Sequence, residues 1–156
     1  MTVWIDADSC PAAVRNLIFR FALRNGVPVR LVANREIPFP PSLNARCIIT
    51  KAEQDAADDY IAAHAKETDI VITRDIPLAA RLIQKGLVVL NDRGTVFSAD
   101  TITERLSVRN FAYDLAMTGV ALERTRKFGK KELTDFANSF DRELQKKRRA
   151  FEQLQA

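Results

Sequence analysis

Histidine and tryptophan each occur once in this chain of 156 residues, cysteine twice and glycine five times. Each scarcity closes a class of chemistry. His64 falls near the end of a helical stretch, on a mostly apolar face with Ala57, Tyr60 and Ile61. A Ser-His-Asp or Cys-His relay therefore has no well-placed imidazole, and a packed or helix-end histidine is the plainer reading. Cys10 and Cys47 lack metal-ligand spacing, which argues against a thiolate zinc site and a disulfide scaffold. Cys10, beside a helix start, is open to a lowered thiol pKa; a small buried residue is the alternative role for either cysteine. No glycine-rich loop precedes the first helix, so triphosphate and dinucleotide-cofactor sites lack their cradle. No apolar run is long enough to span a bilayer, and Asp6 and Asp8 interrupt any N-terminal signal segment. The expectation is a cytoplasmic protein that does not engage the membrane.

Charge is ample but unevenly placed. Residues 1–100 carry twelve Lys and Arg against twelve Asp and Glu, while residues 101–156 carry twelve against eight. The whole formal excess of +4 therefore lies in the C-terminal third. A basic third on a neutral domain suggests an anionic polymer such as RNA. A solubilising helix surface is the plainer alternative.

The first 91 residues alternate short apolar runs with helical patterns, which argues for an α/β domain on a parallel sheet. Strands are expected at 3–5, 29–33, 47–50, 70–73 and 87–90. Helices are expected after Pro11, over 53–66 and over 77–84. The first carries Val14, Leu17, Ile18, Phe21 and Ala22 on one stripe and ends at Gly26 and Pro28. Pro38, Pro40 and Pro41 leave residues 35–44 irregular. The turn Asn91-Asp92-Arg93-Gly94 leads into a short edge strand at 95–97. Capped by Thr101 or Thr103, a helix then carries Ile102, Leu106, Phe111, Leu115 and Met117 to a stop at Gly119. A basic linker over 124–131 precedes a helix whose Leu133, Phe136, Phe140 and Leu144 form an apolar stripe. The run Lys146-Lys147-Arg148-Arg149 is read as solvated. Residues 1–120 form the α/β domain and 121–156 a basic helical extension of it.

On this sheet the acids are not scattered. Asp6 and Asp8 follow strand one, Asp75 strand four and Asp92 strand five, all at carboxyl ends. In the order 3-2-1-4-5 the connection reverses between strands one and four, where α/β crevices open. Asp6 and Asp75 then face each other. Carboxylates gathered there are costly to desolvate unless a cation or donor compensates them. Capping of the first helix explains Asp8 or Ser9, but not both acids of the pair. Helix two adds Asp55, Asp58 and Asp59 on one face, at a cost of roughly 0.2–0.5 kcal/mol per like-charged pair. Part of that cost is offset near the positive end of the helix dipole. Oxygen donors without a His/Cys cluster point to Mg²⁺ or Mn²⁺. The chemistry natural to such an ion is attack of a metal-activated water on phosphorus.

Four motifs then carry a resemblance: Trp4-Ile5-Asp6-Ala7-Asp8-Ser9-Cys10-Pro11, Val32-Ala33-Asn34, Asp55-Ala56-Ala57-Asp58, and residues 69–79 from Asp69 through Thr73-Arg74-Asp75 to Ala79. With Leu90-Asn91-Asp92-Arg93-Gly94 they resemble the YaiI/YqxD family of bacterial proteins, itself similar to the PIN-like nuclease superfamily. The resemblance implies a three-layer sandwich and a metal held by Asp6, Asp75 and Asp55 or Asp58. Asp8 is additional to the usual PIN arrangement. The same motifs put forward Ser9, Asn34, Thr73, Asn91 and Arg93 as substrate-binding candidates. Asp92 stands where relatives more often carry proline and is read as a turn residue. Residues 122–128 replace a glycine- and proline-rich loop of the family.

The leading expectation is a Mg²⁺- or Mn²⁺-dependent endoribonuclease of PIN-like type, with RNA reached through the basic C-terminal third. Phe128, beside Arg126, Lys127 and Lys130, is either a base-stacking platform or a hydrophobic anchor of the tail. One alternative is a non-catalytic PIN-like module that binds RNA or protein. Another is a phosphatase with an aspartate nucleophile in Asp6-Ala7-Asp8, although Asp58-Asp59 precedes strand four where that chemistry wants an acidic pair after it.

Overall fold

The computed structural model describes residues 1–53, 55–117 and 127–155, with side chains except at 111–117 and 155. Its elements are β1 (Val3–Asp6), α1 (Ala12–Asn25), β2 (Val29–Ala33), β3 (Ala45–Ile49), α2 (Ala56–His64), β4 (Ile70–Ile72), α3 (Ile76–Gln84), β5 (Val88–Leu90), α4 (Ala99–Met117) and α5 (Lys130–Gln155). The strands pair in parallel throughout, in the order β3-β2-β1-β4-β5. The expected sheet is the observed one.

Alternation along the central strands sorts the core into two layers. Val3, Ile5, Leu31, Ile70, Ile72 and Leu90 meet α1 and α5 on one face. Trp4, Val32, Val71 and Val89 meet α2, α3 and Ile102 of α4 on the other. The result is a three-layer α/β/α sandwich with a sheet buried on both sides. Phe136, Phe140 and Leu144 of α5 are fully buried, and the Phe140 ring stacks on Phe21 of α1 at 5.8 Å between centroids. Each such side chain contributes about 1.5–3 kcal/mol of burial, so the long C-terminal helix completes the core. At the amino ends of β1 and β4, buried Asp69 accepts bonds from Thr2 N, Trp4 Nε1 and Lys66 N at 2.8–3.0 Å.

Several local expectations are corrected. α2 begins at Ala56 rather than 53, because Asp55 takes a left-handed backbone, φ +68°, and breaks the helix before it. Neither Asp8 nor Ser9 caps α1: Pro11 occupies that position without a side-chain bond. The cap of α4 is Ser98, whose Oγ accepts from Thr101 N, while Thr101 Oγ1 accepts from Ser98 N at 2.8 Å. The edge strand at 95–97 reduces to one antiparallel bridge, Leu90 to Val96. Gly119, Arg124 and Arg126, the domain boundary at 120/121, and the side chains of Phe111, Leu115 and Met117 lie outside what is described.

Candidate functional site

Asp6 ends β1, and Thr73 and Asp75 follow β4, its parallel neighbour. The Thr73 hydroxyl, itself buried, donates to Asp6 Oδ2 at 2.8 Å and accepts from the Asp75 amide at 3.0 Å. Asp75 in turn caps α3: its Oδ1 accepts from Leu78 N at 2.8 Å, with Pro77 in the first turn. Asp8 sits in a single 3₁₀ turn, Ala7–Ser9, and its Oδ2 accepts from the Asn34 amide beyond β2 at 2.8 Å. Asp6, Asp8, Ser9, Arg74 and Asp75 line an open cleft of about 400 Å³ at the carboxyl ends of the strands.

Helix α2 brings Asp58 beside Asp75. Its carboxyl group lies within hydrogen-bond reach of Asp75. Burial, that shared bond, and the charges of Asp75, Asp6 and Asp55 push it up to about 7. Asp6, only 8 % exposed, is also raised. Desolvation is the main cause, opposed by the Thr73 bond and reinforced by Asp75 and Asp8. Asp55 stays exposed at the start of α2. Asp59 turns away and pairs with Arg81 at 3.0 Å. Among the described residues no three His, Cys, Asp or Glu side chains form a preassembled metal-holding group. The donor set fits a cation taken by one or two carboxylates with water and substrate oxygens, the habit of Mg²⁺; Asp58 and Asp75, with Asp6 beside them, would hold it.

The remaining candidates are placed as follows. Ser9 is exposed at the cleft rim, and Asn34 reaches the site through its backbone bond to Asp8. Asn91 is buried, and its Oδ1 accepts from the amides of Arg93 and Thr95, both at 2.9 Å, which sets the turn after β5. Arg93 pairs with Glu132 at 3.8 Å and lies over the Phe128 ring at 5.7 Å. Phe128 packs against the core, as an anchor of α5 does. Cys10 is buried, and burial pushes its thiol up to about 12, so the lowered-pKa reading fails. His64 is the last residue of α2, exposed and stacked on Tyr60 at 4.0 Å. Sequence reasoning passed over Arg74, which reaches the cleft from the loop between Thr73 and Asp75. The signal was its position, a cation directly after β4 between Thr73 and Asp75.

The basic C-terminal helix spans the sheet from end to end. Its start lies by the carboxyl ends, where Gly94 after β5 touches the Asp135 backbone. Its far end lies by the amino ends, where Lys147 Nζ donates to Glu67 O and Arg148 to Asn25 Oδ1, both at 2.7 Å. Lys147 and Arg148 are therefore tied down rather than solvated, while Lys146 and Arg149 face outward. About 25 Å of helix separates Lys147 from Lys130. The basic run stands at the opposite end of the sheet from the acids.

Fold and cleft together define a three-layer α/β protein with a carboxylate site at the switch point of a parallel sheet. The chain belongs to the family described as "Uncharacterized BCR, YaiI/YqxD family", which matches residues 4–146. It is 48 % identical over 146 residues to a UPF0178 protein of Treponema denticola, covering 94 % of this chain and 93 % of that one. A UPF0178 protein of Treponema pallidum is 49 % identical, with 94 % and 82 % covered. One from Syntrophobacter fumaroxidans is 42 % identical, with 94 % and 96 % covered. The family carries no assigned activity. No solved structure matches the chain at a significant level, and no described helix is long and apolar enough to cross a membrane.

Proposed function

We propose that this cleft is the site of a Mg²⁺- or Mn²⁺-dependent endoribonuclease of PIN-like kind. The observation that carries the reading is the convergence of Asp6, Asp8 and Asp75 on one open cleft, with the Thr73 hydroxyl joining Asp6 to the Asp75 amide and Asp58 of α2 beside Asp75. Such an arrangement costs stability in the absence of a cation and becomes favourable with one. When bound, the ion supplies an activated water and compensates charge on a phosphodiester. The chain's own contribution is orientation. Thr73 fixes the Asp6 carboxylate, the α3 cap fixes Asp75, and α2 carries Asp58 to meet it. Asp8 ties the β1 turn to the loop after β2 while itself lining the cleft.

The test is cleavage of labelled single-stranded RNA with Mn²⁺ by wild type, Asp6→Asn and Asp75→Asn. Loss of about a hundredfold or more in both variants supports the reading. Equal activity in all three marks a contaminant and ends it. A second reading, a non-catalytic RNA- or protein-binding module, draws support from the missing three-ligand group among the described residues. Calorimetric titration separates the two, since no Mg²⁺ or Mn²⁺ binding at millimolar concentration favours the module.

A further inference from the structure

Among the described residues that line the cleft, one is a cation. Arg74 lines it with Asp6, Asp8, Ser9 and Asp75, and half of its side chain (51 %) is exposed. Behind it the guanidinium Nε faces Asp92 Oδ2 at 3.7 Å, and Asp92 is almost wholly buried. A buried carboxylate is costly without a partner, and Arg74 is the only ion-pair partner of Asp92 among the described residues.

Asp92 is also rigidly placed. The turn that carries it is closed by Gly94 N to Asn91 O at 3.3 Å, by the two bonds to Asn91 Oδ1, and by the Leu90–Val96 bridge. That turn is in turn pressed against α5 at Gly94. A fixed acid thus faces the guanidinium at Nε, and the half-exposed Arg74 also lines the cleft. Such an arrangement suits a planar fork that receives a phosphate oxygen beside the carboxylates.

We propose that Arg74 is the phosphate-recognising residue of this site, gripping a non-bridging oxygen of an RNA backbone phosphate, and that Asp92 is the positioning residue that aims it. The proposal rests on the nuclease reading for its choice of polymer. Its recognition step stands apart from cleavage, because a phosphate can be bound whether or not it is hydrolysed. It also moves RNA binding from the far end of α5 to the cleft itself.

The experiment measures binding of a fluorescein-labelled single-stranded RNA by anisotropy in Ca²⁺, and cleavage of the same RNA in Mn²⁺. The proteins are wild type, Arg74→Ala, Arg74→Lys, Asp92→Asn and the double variant Arg74→Gln/Asp92→Asn, which leaves no buried charge unpaired. Far-ultraviolet dichroism and melting show which are folded. The expected result is an RNA Kd raised about tenfold or more in Arg74→Ala and in the double variant. Arg74→Lys recovers part of the loss, because a point charge lacks the fork. Asp92→Asn falls between, and KM rises more than kcat falls. If the folded Arg74 variants bind as tightly as wild type while wild type cleaves, this inference is overturned and the nuclease reading stands. If Arg74→Ala loses affinity but wild type does not cleave, the inference stands and the nuclease reading fails. Wild type that neither binds nor cleaves RNA overturns both.

Discussion

Thr73 and Asp6 are bonded side chain to side chain at 2.8 Å, across neighbouring parallel strands and 67 residues apart in sequence. The same Thr73 oxygen accepts the Asp75 amide, so one hydroxyl sets two of the three central acids. Replacing it with valine keeps the shape and leaves a buried carboxylate oxygen and an amide without their partner. Thr73→Val is expected to cost about 1–3 kcal/mol of stability, whereas Thr73→Ser stays within about 1 kcal/mol of wild type. Urea denaturation of the three proteins checks both values.

Asp58 makes the stability of the metal-free protein depend on pH. Its folded pKa of about 7 lies above its ordinary 3.8. The folded state therefore holds more protons than the unfolded state between those values. Its stabilising contribution is complete below pH 3.8 and is lost as pH rises through about 7. Because Asp58 is only partly buried, solvent screening holds the effect to about 1 kcal/mol. Asp58→Asn is expected to remove this slope and to be the more stable protein at pH 8. Urea midpoints at pH 5 and pH 8, each with EDTA, would show it; a wild type equally stable at both would contradict it.

Gly94 has a positive φ of +86°, and a Cβ built there would stand 2.5 Å from Asp135 O of α5. Gly94→Ala must strain the turn and push the helix away. A loss of about 2–4 kcal/mol is expected, read as a drop in melting temperature. Gly26, also at positive φ but with nothing within 4 Å, should cost less when changed to alanine.

The course of α5 from the carboxyl to the amino ends of the strands gives a test of the RNA path. Removing the outward charges Lys146 and Arg149 leaves RNA affinity and its salt dependence unchanged, because they stand at the amino ends of the strands. Removing Lys127 and Lys130, exposed at the other end of the helix, lowers the slope of log K against log salt by about one for each phosphate no longer neutralised. Anisotropy titrations over a salt series measure both pairs.

The frame of the molecule was legible because its signals are local. Apolar runs at 29–33 and 70–72 and the stripe Val14, Leu17, Ile18 and Ala22 report burial directly, and parallel α/β order follows from few rules. The meeting of Asp6 with Asp75 followed from the sheet order alone. The rest depends on contacts distant in sequence. Nothing near Asp8 foretells the Asn34 amide, and nothing near Arg74 foretells Asp92. Asp58 and Asp59 are indistinguishable by composition, yet one step of about 100° around α2 sends one to Asp75 and the other to Arg81. The stripe on α5 foretold that it packs, but an apolar stripe has no polarity, so its direction across the sheet was not readable.

Phe136, Phe140 and Leu144 share a cluster with Val3 and Ile5, so the opening and closing stretches of the domain are neighbours. During synthesis the first strands emerge long before the helix that roofs them. A nascent chain therefore leaves the part of that sheet face not covered by α1 open until residues 136–144 have left the ribosome. In that interval it is open to wrong partners. A ribosome stalled before that point would present a half-roofed sheet, a substrate for chaperones rather than a smaller working protein.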